Sequence, residues 1–155
     1  MSADGKTWTI KIRPGIYFAD DPAFKGKKRE LTAGDFVYAW KRILDPKMRS
    51  PAFAVFDGKL AGIDAPIEAA KKPGAKFDYD APIEGLQAID RTTIRLRFAQ
   101  PEYSLLSDLT AVNTAAVARE VVEAYGDASG WVMANPVGTG PYRLKEWRRG
   151  QRLTL

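Results

Sequence analysis

The sequence predicts an α+β fold in which helices pack on a small mixed or antiparallel sheet. Residues 7–13 and 93–98 alternate apolar and polar side chains, which is the pattern of a strand buried on one face. Residues 33–44 instead repeat apolar side chains at the spacing of an amphipathic helix. The length of 155 residues fits one domain, so we expect the whole chain to be a single domain.

The N-terminal part of the chain predicts two strands and a loop. In the first strand, residues 7–13, three apolar side chains share one face: Trp8, Ile10 and Ile12. Proline and glycine at 14–15 predict a turn, and residues 16–18 predict a short second strand. The polar composition of residues 20–30 predicts a loop.

The most clearly marked helix begins after Thr32, which is a preferred N-cap residue. Asp35 occupies the position from which an acidic side chain completes a capping box. The apolar stripe of this helix contains Phe36, Trp40, Ile43 and Leu44. Because Trp40 lies in register with the stripe, we expect it in the hydrophobic core and not against a ligand. The Asp45-Pro46 pair predicts the end of the helix.

The middle of the chain predicts short helices followed by a β-hairpin. Residues 53–63 are apolar enough for a short helix or a buried extended segment, and residues 67–72 for another helical turn or two. Residues 76–82 predict an exposed loop. The hairpin turns at residues 90–92. Its second strand is expected to direct three side chains inward, Ile94, Leu96 and Phe98, and three outward, Thr93, Arg95 and Arg97.

Two more helices are expected in the C-terminal part, at residues 103–109 and 117–125. Gly126 follows the second helix at the position where glycine commonly ends a helix. Residues 127–136 predict a loop.

A stiff segment rich in glycine and proline precedes the end of the chain: Gly138, Thr139, Gly140, Pro141 and Tyr142. Glycine permits positive φ or close approach of another chain segment, and proline fixes its own φ. Such a motif marks a crossing of chain segments or the approach of a ligand, and we favour the architectural role. Strands are expected at residues 142–146 and 152–155, joined by a turn at 149–150.

The composition excludes several kinds of functional site. The chain contains neither cysteine nor histidine, which excludes disulfides, thiolate or imidazole metal ligands, and catalytic triads built on either residue. We expect no metal and no cofactor. No apolar run approaches the ~20 residues of a membrane span. None follows Met1, so we expect no signal peptide within this chain.

The residues alone leave two kinds of function open, a nucleic-acid-binding module and a hydrolase. The net charge of +5 is compatible with a basic nucleic-acid-binding module. However, the cations are interspersed with carboxylates, as on an ordinary solvated surface. The aromatic residues that would stack on bases lie on predicted core faces: Trp8, Trp40 and Phe98.

A carboxylate-dependent hydrolase is the other alternative, and the less favoured one. Asp20 and Asp21, or Asp78 and Asp80, offer pairs of carboxylates that could flank a glycosidic bond. All four lie in predicted polar loops, where nothing in the sequence indicates the burial that raises the pKa of a catalytic acid.

Four blocks of the sequence, in order, resemble one known family. They are residues 8–18 (WTIKIRPGIYF), 31–42 (LTAGDFVYAWKR), 89–96 (IDRTTIRL) and 138–142 (GTGPY). The family is the family 5 extracellular solute-binding proteins, which are the oligopeptide-, dipeptide- and nickel-binding receptors of bacterial ABC importers. Residues 61–64 (AGID) are similar to the oligopeptide-binding branch.

This resemblance implies that the chain is an internal piece of a larger, bilobed receptor with a periplasmic-binding-protein-like fold. The piece would be the smaller accessory lobe, which mainly supports the binding lobes and makes few solute contacts. Residues 19–136 would form its body, and residues 1–18 and 137–155 would be strands that lead to or from the neighbouring lobe.

The resemblance also places two segments nearest the binding cleft. They contain Ala52 and Phe53 after the first helix, and Ala111, Val112 and Asn113 after the short helix at 103–109. Ala52 and Ala111 stand where some relatives have larger side chains, which implies a roomier pocket. On its own, Phe53 is also explained by core packing, and Asn113 equally by loop capping or by contact with ligand or water.

The function implied by the resemblance is the binding of peptides or similar small solutes for import, without catalysis. The partners would be the solute and the membrane permease subunits of the importer, with no nucleic acid, and the receptor would be a monomer. Its location would be periplasmic or extracellular, with or without a lipid anchor.

Overall fold

The structure is a computed structural model that describes residues 1–126 and 131–155. These residues form two compact units. Unit 1 comprises Met1–Ile12 and Thr32–Ala116, and unit 2 comprises Arg13–Leu31 and Val117–Leu155.

Unit 1 is built on a three-stranded antiparallel sheet with the strand order β1-β3-β2. The strands are β1 (Thr7–Lys11), β2 (Leu86–Ala88) and β3 (Thr93–Arg97). The register pairs Trp8 with Leu96 and Ile10 with Ile94, so large apolar side chains of neighbouring strands lie opposite one another on one face. The predicted first strand and hairpin are therefore confirmed.

The predicted inward face of β3 is also confirmed, with one correction. Ile94, Leu96 and Phe98 are buried as expected. Thr93 was expected to face outward but is buried as well. It begins the central strand, opposite Lys11 of β1, and its carbonyl oxygen accepts a hydrogen bond from the Ile89 N–H at 2.8 Å.

Four α-helices and one 3-10 helix complete unit 1. They are α1 (Ala33–Leu44), α2 (Phe53–Phe56), α3 (Asp64–Lys71), α4 (Leu105–Asp108) and the 3-10 helix Val112–Thr114. The capping box of α1 is present, with the Asp35 carboxylate accepting from the Thr32 N–H at 2.7 Å. Trp40 is buried, as predicted, whereas Phe36 in the same stripe is only half-buried.

The prediction of an exposed loop at residues 76–82 is wrong for its central part. Phe77 is buried, and the Tyr79 hydroxyl donates to Asp45 Oδ2 at 2.7 Å. Lys41 Nζ, on α1, donates to the carbonyl oxygens of Tyr79 at 2.9 Å and Ala81 at 2.6 Å. The segment is irregular but is held against α1 by contacts that have no local sequence signal.

Residue 61 attaches a further segment to the sheet through backbone hydrogen bonds. The Ala61 N–H donates to the Arg97 carbonyl at 2.9 Å, and the Ala61 carbonyl accepts from the Gly85 N–H at 2.8 Å. The neighbouring Leu60 forms a bridge with Phe98. Residues 61–64, which resemble the oligopeptide-binding branch, thus lead from the sheet into α3.

Unit 2 contains short helices and a two-stranded antiparallel hairpin. Its elements are the 3-10 helix Pro22–Phe24, α5 (Arg119–Tyr125), α6 (Trp131–Ala134), β4 (Glu146–Arg148) and β5 (Arg152–Thr154). The predicted helix near 117–125 is confirmed, and Gly126 follows it with a φ of 75°. The predicted strand at 16–18 is reduced to a single bridge between Tyr17 and Glu30.

Two further predictions for unit 2 need correction. Within the predicted loop 127–136, residues 127–130 lie outside the described residues, and α6 occupies 131–134. The strand expected at 142–146 begins only at Glu146, because the turn near Gly150 pairs Glu146 with Thr154 and leaves the preceding residues beyond the hairpin. Tyr142 is consequently exposed.

Within residues 1–126 and 131–155, no helix combines the length and the apolar character that crossing a membrane would require.

Candidate functional site

Ala52 and Phe53 lie at the start of α2. Ala52 is the N-cap residue and is buried, and its N–H donates to Ser50 Oγ at 3.2 Å. Phe53 is half-buried, and its N–H donates to the Ser50 carbonyl at 3.1 Å. Within unit 1, Ala52 is therefore closed off from a solute, whereas Phe53 is only half-buried.

Ala111, Val112 and Asn113 form an exposed rim on unit 1. Ala111 has an extended backbone and precedes the 3-10 helix, whose last residue, Thr114, is buried. The Thr114 hydroxyl donates to the carbonyl oxygens of Ala111 at 2.7 Å and Leu109 at 3.1 Å. These bonds fold the segment back on itself and leave the Val112 side chain 92% exposed.

Both predicted segments are fastened to α1 through the same side chain, Trp40. Its ring packs on Phe56 of α2 with a centroid separation of 5.4 Å. Its indole Nε1 donates to the Thr114 carbonyl at 2.8 Å. Trp40 is thus a core residue, as predicted, and it also fixes the position of the 111–114 segment relative to α2.

A pocket of about 250 Å³ lies directly behind this exposed rim. The sheet contributes Ile10, Ile12 and Ile94 to its wall, α1 contributes Phe36 and Trp40, and residues 109–112 and 114–115 close the remaining side. Ala111 and Val112 are therefore the two predicted site residues that line it, while Asn113, Ala52 and Phe53 do not belong to its lining.

The pocket wall was only partly predictable. The sequence places the isoleucines on the inward face of their strands and Phe36 one helical turn before Trp40, so their burial in a core was expected. What the sequence does not show is that these side chains fail to fill the space between the sheet, α1 and the 109–115 segment. Phe36 and Ile10, which both line the pocket, are correspondingly only half-buried.

The glycine- and proline-rich motif at 138–142 lies in unit 2, and all of its residues are exposed. The Gly138 carbonyl accepts from the Ala19 N–H at 2.9 Å. Neither Gly138 nor Gly140 has a positive φ, and a Cβ on either would meet no atom closer than 3.9 Å. The expected conformational need for glycine is therefore not found at either position.

The basic side chains of a groove on unit 1 are explained by the helices beside it. The groove lies near the C-terminal ends of α1 and α3, where cations complement the helix dipole, and its lining includes Lys47, Arg49, Lys71 and Lys72. Lys71 pairs with Glu68 at 2.6 Å, and Lys47 Nζ donates to the Ala75 carbonyl.

The carboxylate pairs considered for catalysis include residues that hold local structure. Asp21 accepts from the Ala23 N–H at 2.9 Å and from the Tyr125 hydroxyl at 3.0 Å. Asp78 Oδ1 accepts from the backbone N–H groups of Asp80 at 2.9 Å and Ala81 at 3.1 Å. These contacts are those of turn and helix caps.

Comparison with known proteins decides the family. The family model described as bacterial extracellular solute-binding proteins, family 5 Middle, matches residues 1–155. The chain belongs to the family 5 bacterial extracellular solute-binding proteins. The resemblance carried by the four sequence blocks is thereby confirmed.

Individual family 5 proteins are similar over nearly the whole chain. The periplasmic oligopeptide-binding protein OppA of Salmonella typhimurium is 32% identical over 98% of this chain, and the dipeptide-binding protein of Escherichia coli is 28% identical over 99%. The crystal structure of Haemophilus influenzae OppA in complex with RPPGFSPFR superposes with a TM-score of 0.72 at 28% identity over 95% of this chain. The predicted α+β fold, a lobe of a periplasmic-binding-protein fold, is confirmed.

The chain spans only about a quarter of these relatives. It covers 25% of the Salmonella protein, 26% of the E. coli dipeptide-binding protein and 26% of the Haemophilus structure.

Proposed function

We propose that this chain is part of the substrate-binding component of an ABC importer that takes up peptides or similar small solutes. One observation carries the proposal, namely the match of the family 5 model to every residue of the chain. The similarity to oligopeptide- and dipeptide-binding proteins over nearly the full chain favours peptides as the solute class.

In this proposal the lobe acts mainly as a scaffold. Residues 1–155 are one domain, in which residues 19–136 form the body and residues 1–18 and 137–155 connect it to the neighbouring lobe. The buried side of Ala52 and the packing of Trp40 on α2 serve to hold the lobe together. Of the residues predicted to lie near the solute, Phe53 and residues 111–113 keep exposed surface with which to contact it.

The receptor functions in the periplasm or outside the cell, either free or lipid-anchored, and delivers solute to the permease subunits as a monomer. It does not bind nucleic acid in this proposal, because several cations are paired with carboxylates on its own surface. For example, Arg29 Nε lies 2.7 Å from Glu120 Oε1, and Arg97 Nη1 lies 2.5 Å from Glu84 Oε1.

The proposal assigns no catalytic step and no cofactor to the lobe. Its candidate acids hold turns and a helix cap through the hydrogen bonds of Asp21 and Asp78, and neither predicted pair is buried.

Isothermal titration calorimetry of the full-length receptor tests the proposal. We expect a mixture of short peptides to bind with micromolar or tighter affinity, and single-stranded oligonucleotides to give no heat at low salt, where electrostatic binding is strongest. The proposal fails if peptides give no heat while oligonucleotides bind with a steep salt dependence.

A further inference from the structure

We infer that the basic groove of unit 1 binds a phosphate-bearing anion. The groove lies near the C-terminal ends of α1 and α3, has a volume of about 650 Å³, and takes its charge from Lys47, Arg49, Lys71 and Lys72. This anion is a second ligand, distinct from the imported solute, and its binding does not depend on which solute the receptor carries.

Positive charge is concentrated in the groove and not spread over unit 1. No aspartate or glutamate of the described residues lines the groove. Unit 1 as a whole is nevertheless almost neutral, with thirteen lysine and arginine residues against twelve aspartate and glutamate residues. The four cations therefore form a local patch on a surface that is otherwise balanced.

Most of these cations have no carboxylate partner. Among the residues that the structure describes, the one ion pair of the groove joins Lys71 Nζ to Glu68 Oε1 at 2.6 Å. Lys47 Nζ donates to the carbonyl oxygen of Ala75, which carries no charge. Asp45, two residues before Lys47, is buried in unit 1 and does not belong to the lining.

The two helix ends offset only part of the remaining charge. The C-terminal end of a helix carries about half a negative elementary charge, so two ends together offset about one cation. Glu68 and Asp57 both act on the ammonium group of Lys71 and compensate it. Lys47, Arg49 and Lys72 consequently leave an excess of about two positive charges in the groove.

This excess and these donors suit a phosphate group. A phosphate ester carries about two negative charges near neutral pH, whereas a single carboxylate would neutralise only half of the excess. The planar guanidinium of arginine matches phosphate oxygens, and the lysine ammonium pairs with them as a point charge. Lys47, Arg49 and Lys72 are all exposed, so a ligand can reach them without any change of fold.

The backbone at Arg49 is also uncommon. Its φ is 48°, in the left-handed region that residues other than glycine rarely adopt. The chain is held on both sides of it, because the Met48 N–H donates to the Asp45 carbonyl at 3.0 Å and the Ala52 N–H donates to Ser50 Oγ at 3.2 Å. Such conformations cluster at ligand-binding positions, which agrees with the role inferred for Arg49.

The volume of the groove exceeds what one phosphate group fills. At about 650 Å³ it lies within the roughly 300–1,000 Å³ of small-molecule sites. The phosphate group can thus belong to a soluble molecule or to the headgroup of an anionic lipid. Both sources offer the same chemistry to the groove, and the experiment separates them.

The test uses the full-length receptor, produced without lipid modification, at low ionic strength, where charges are screened least. Inorganic pyrophosphate, titrated by calorimetry, represents soluble phosphate compounds. Sedimentation with phosphatidylcholine vesicles, with and without phosphatidylglycerol, represents the lipid headgroup. Wild type should bind pyrophosphate, the vesicles that contain phosphatidylglycerol, or both, and should not sediment with phosphatidylcholine alone.

The double variant Arg49→Gln/Lys72→Gln should weaken this binding by about tenfold or more, since each basic residue close to an anion contributes several-fold. Lys27→Gln/Lys28→Gln is the matched control. It removes the same charge from exposed residues of unit 2 and should bind as wild type. All four positions are exposed, so circular dichroism should show both variants folded.

Pyrophosphate binding that is lost in the groove variant identifies a soluble ligand, and a loss confined to the vesicles identifies a lipid headgroup. Three results overturn the inference: no binding of either probe by wild type, unchanged binding by the groove variant, or an equal loss in both variants, which would reflect net charge alone. None of these results concerns peptide binding, so the proposed function stands or fails separately.

Discussion

At the scale of single residues, Gly85 shows how closely the backbone of unit 1 is packed. A Cβ at this position would lie 2.6 Å from the Ala61 nitrogen and 2.7 Å from the carbonyl oxygens of Ala61 and Arg97. Those atoms belong to backbone groups that hydrogen-bond to one another and to Gly85. They cannot move aside as the end of a flexible side chain could, so only glycine fits.

We therefore predict that Gly85→Ala lowers the free energy of unfolding by about 1–3 kcal/mol, the usual range for overpacking. Urea denaturation measures the change. Gly34→Ala in α1 is the matched control, because its Cβ would meet only Thr32 Oγ1 at 3.6 Å, and alanine is the better helix former. Equal stability of Gly85→Ala and wild type would show that the Ala61 and Arg97 contacts are not maintained in solution.

Lys41 illustrates a residue whose role differs from the one its position suggests. Near the end of a helix a lysine usually complements the dipole in solvent, yet Lys41 is buried and bonds the carbonyls of Tyr79 and Ala81. Lys41→Met should lower the free energy of unfolding by about 1.5–3 kcal/mol, the value of hydrogen bonds to a charged group.

The control for Lys41→Met is Lys71→Met, which removes an exposed ion pair with Glu68 and should leave the urea midpoint unchanged. If both variants unfold at the wild-type urea concentration, the ammonium of Lys41 does not hold the 77–81 segment.

Tyr79 gives this segment a dependence on alkaline pH. Burial, followed by its hydrogen bond to the Asp45 carboxylate, raises the pKa of the Tyr79 phenol well above its usual range. In the unfolded chain the phenol ionises near pH 10, so the folded state loses stability as the pH rises above about 10.

Tyr79→Phe should remove this part of the alkaline loss of stability. When the absorbance of the tyrosinate band is followed, the titration curves of wild type and Tyr79→Phe should also superimpose from pH 9 to the onset of unfolding. A wild-type trace that exceeds the variant by one ionising tyrosine in that range would contradict the raised pKa.

At the scale of elements, α1 owes its start to two side chains. Asp35 accepts from the Thr32 N–H at 2.7 Å and from the Thr32 hydroxyl at 2.8 Å. Asp35→Ala should lower the free energy of unfolding by about 0.5–2 kcal/mol. Asp35→Asn retains an acceptor oxygen and should lose less. If thermal unfolding shows the same midpoint for both variants and wild type, the capping box does not contribute.

The elements that could be predicted are those with a strong local pattern. β1 and β3 alternate, α1 has a cap, an apolar stripe and an Asp-Pro stop, and each lies within a few residues of its predicted place. The prediction of a strand at residues 142–146 was wrong because most of these alternating residues have no neighbouring strand to pair with. The turn at 149–150 brings residues 146–148, and not 142–145, opposite β5. Tertiary contacts to α1, which the sequence does not display, account for the buried loop at Phe77.

The candidate site was predictable to a similar extent. The family resemblance predicts solute contact at residues 111–113, which the structure shows to be exposed, and the helical register of Trp40 correctly predicted its place in the core. The pocket between them exists because the neighbouring side chains do not fill the space. The periodicity of the sequence does not show how completely side chains fill an interior.

At the scale of the whole molecule, we expect solute recognition by the receptor to require more than this lobe. The chain covers 25% of the Salmonella oligopeptide-binding protein, and within unit 1 a small apolar pocket adjoins two of the predicted contact residues, Ala111 and Val112. An apolar pocket of that size cannot by itself fix a peptide backbone, whose N–H and C=O groups need hydrogen-bond partners.

The most direct measurement is calorimetric titration of one peptide mixture into the full-length receptor and, in parallel, into the isolated 155-residue chain, with circular dichroism to show that the isolated chain is folded. We predict micromolar or tighter binding by the full-length receptor and no measurable heat with the isolated chain. Micromolar or tighter binding of the peptides by the folded isolated chain would contradict the scaffold role and the account built on it.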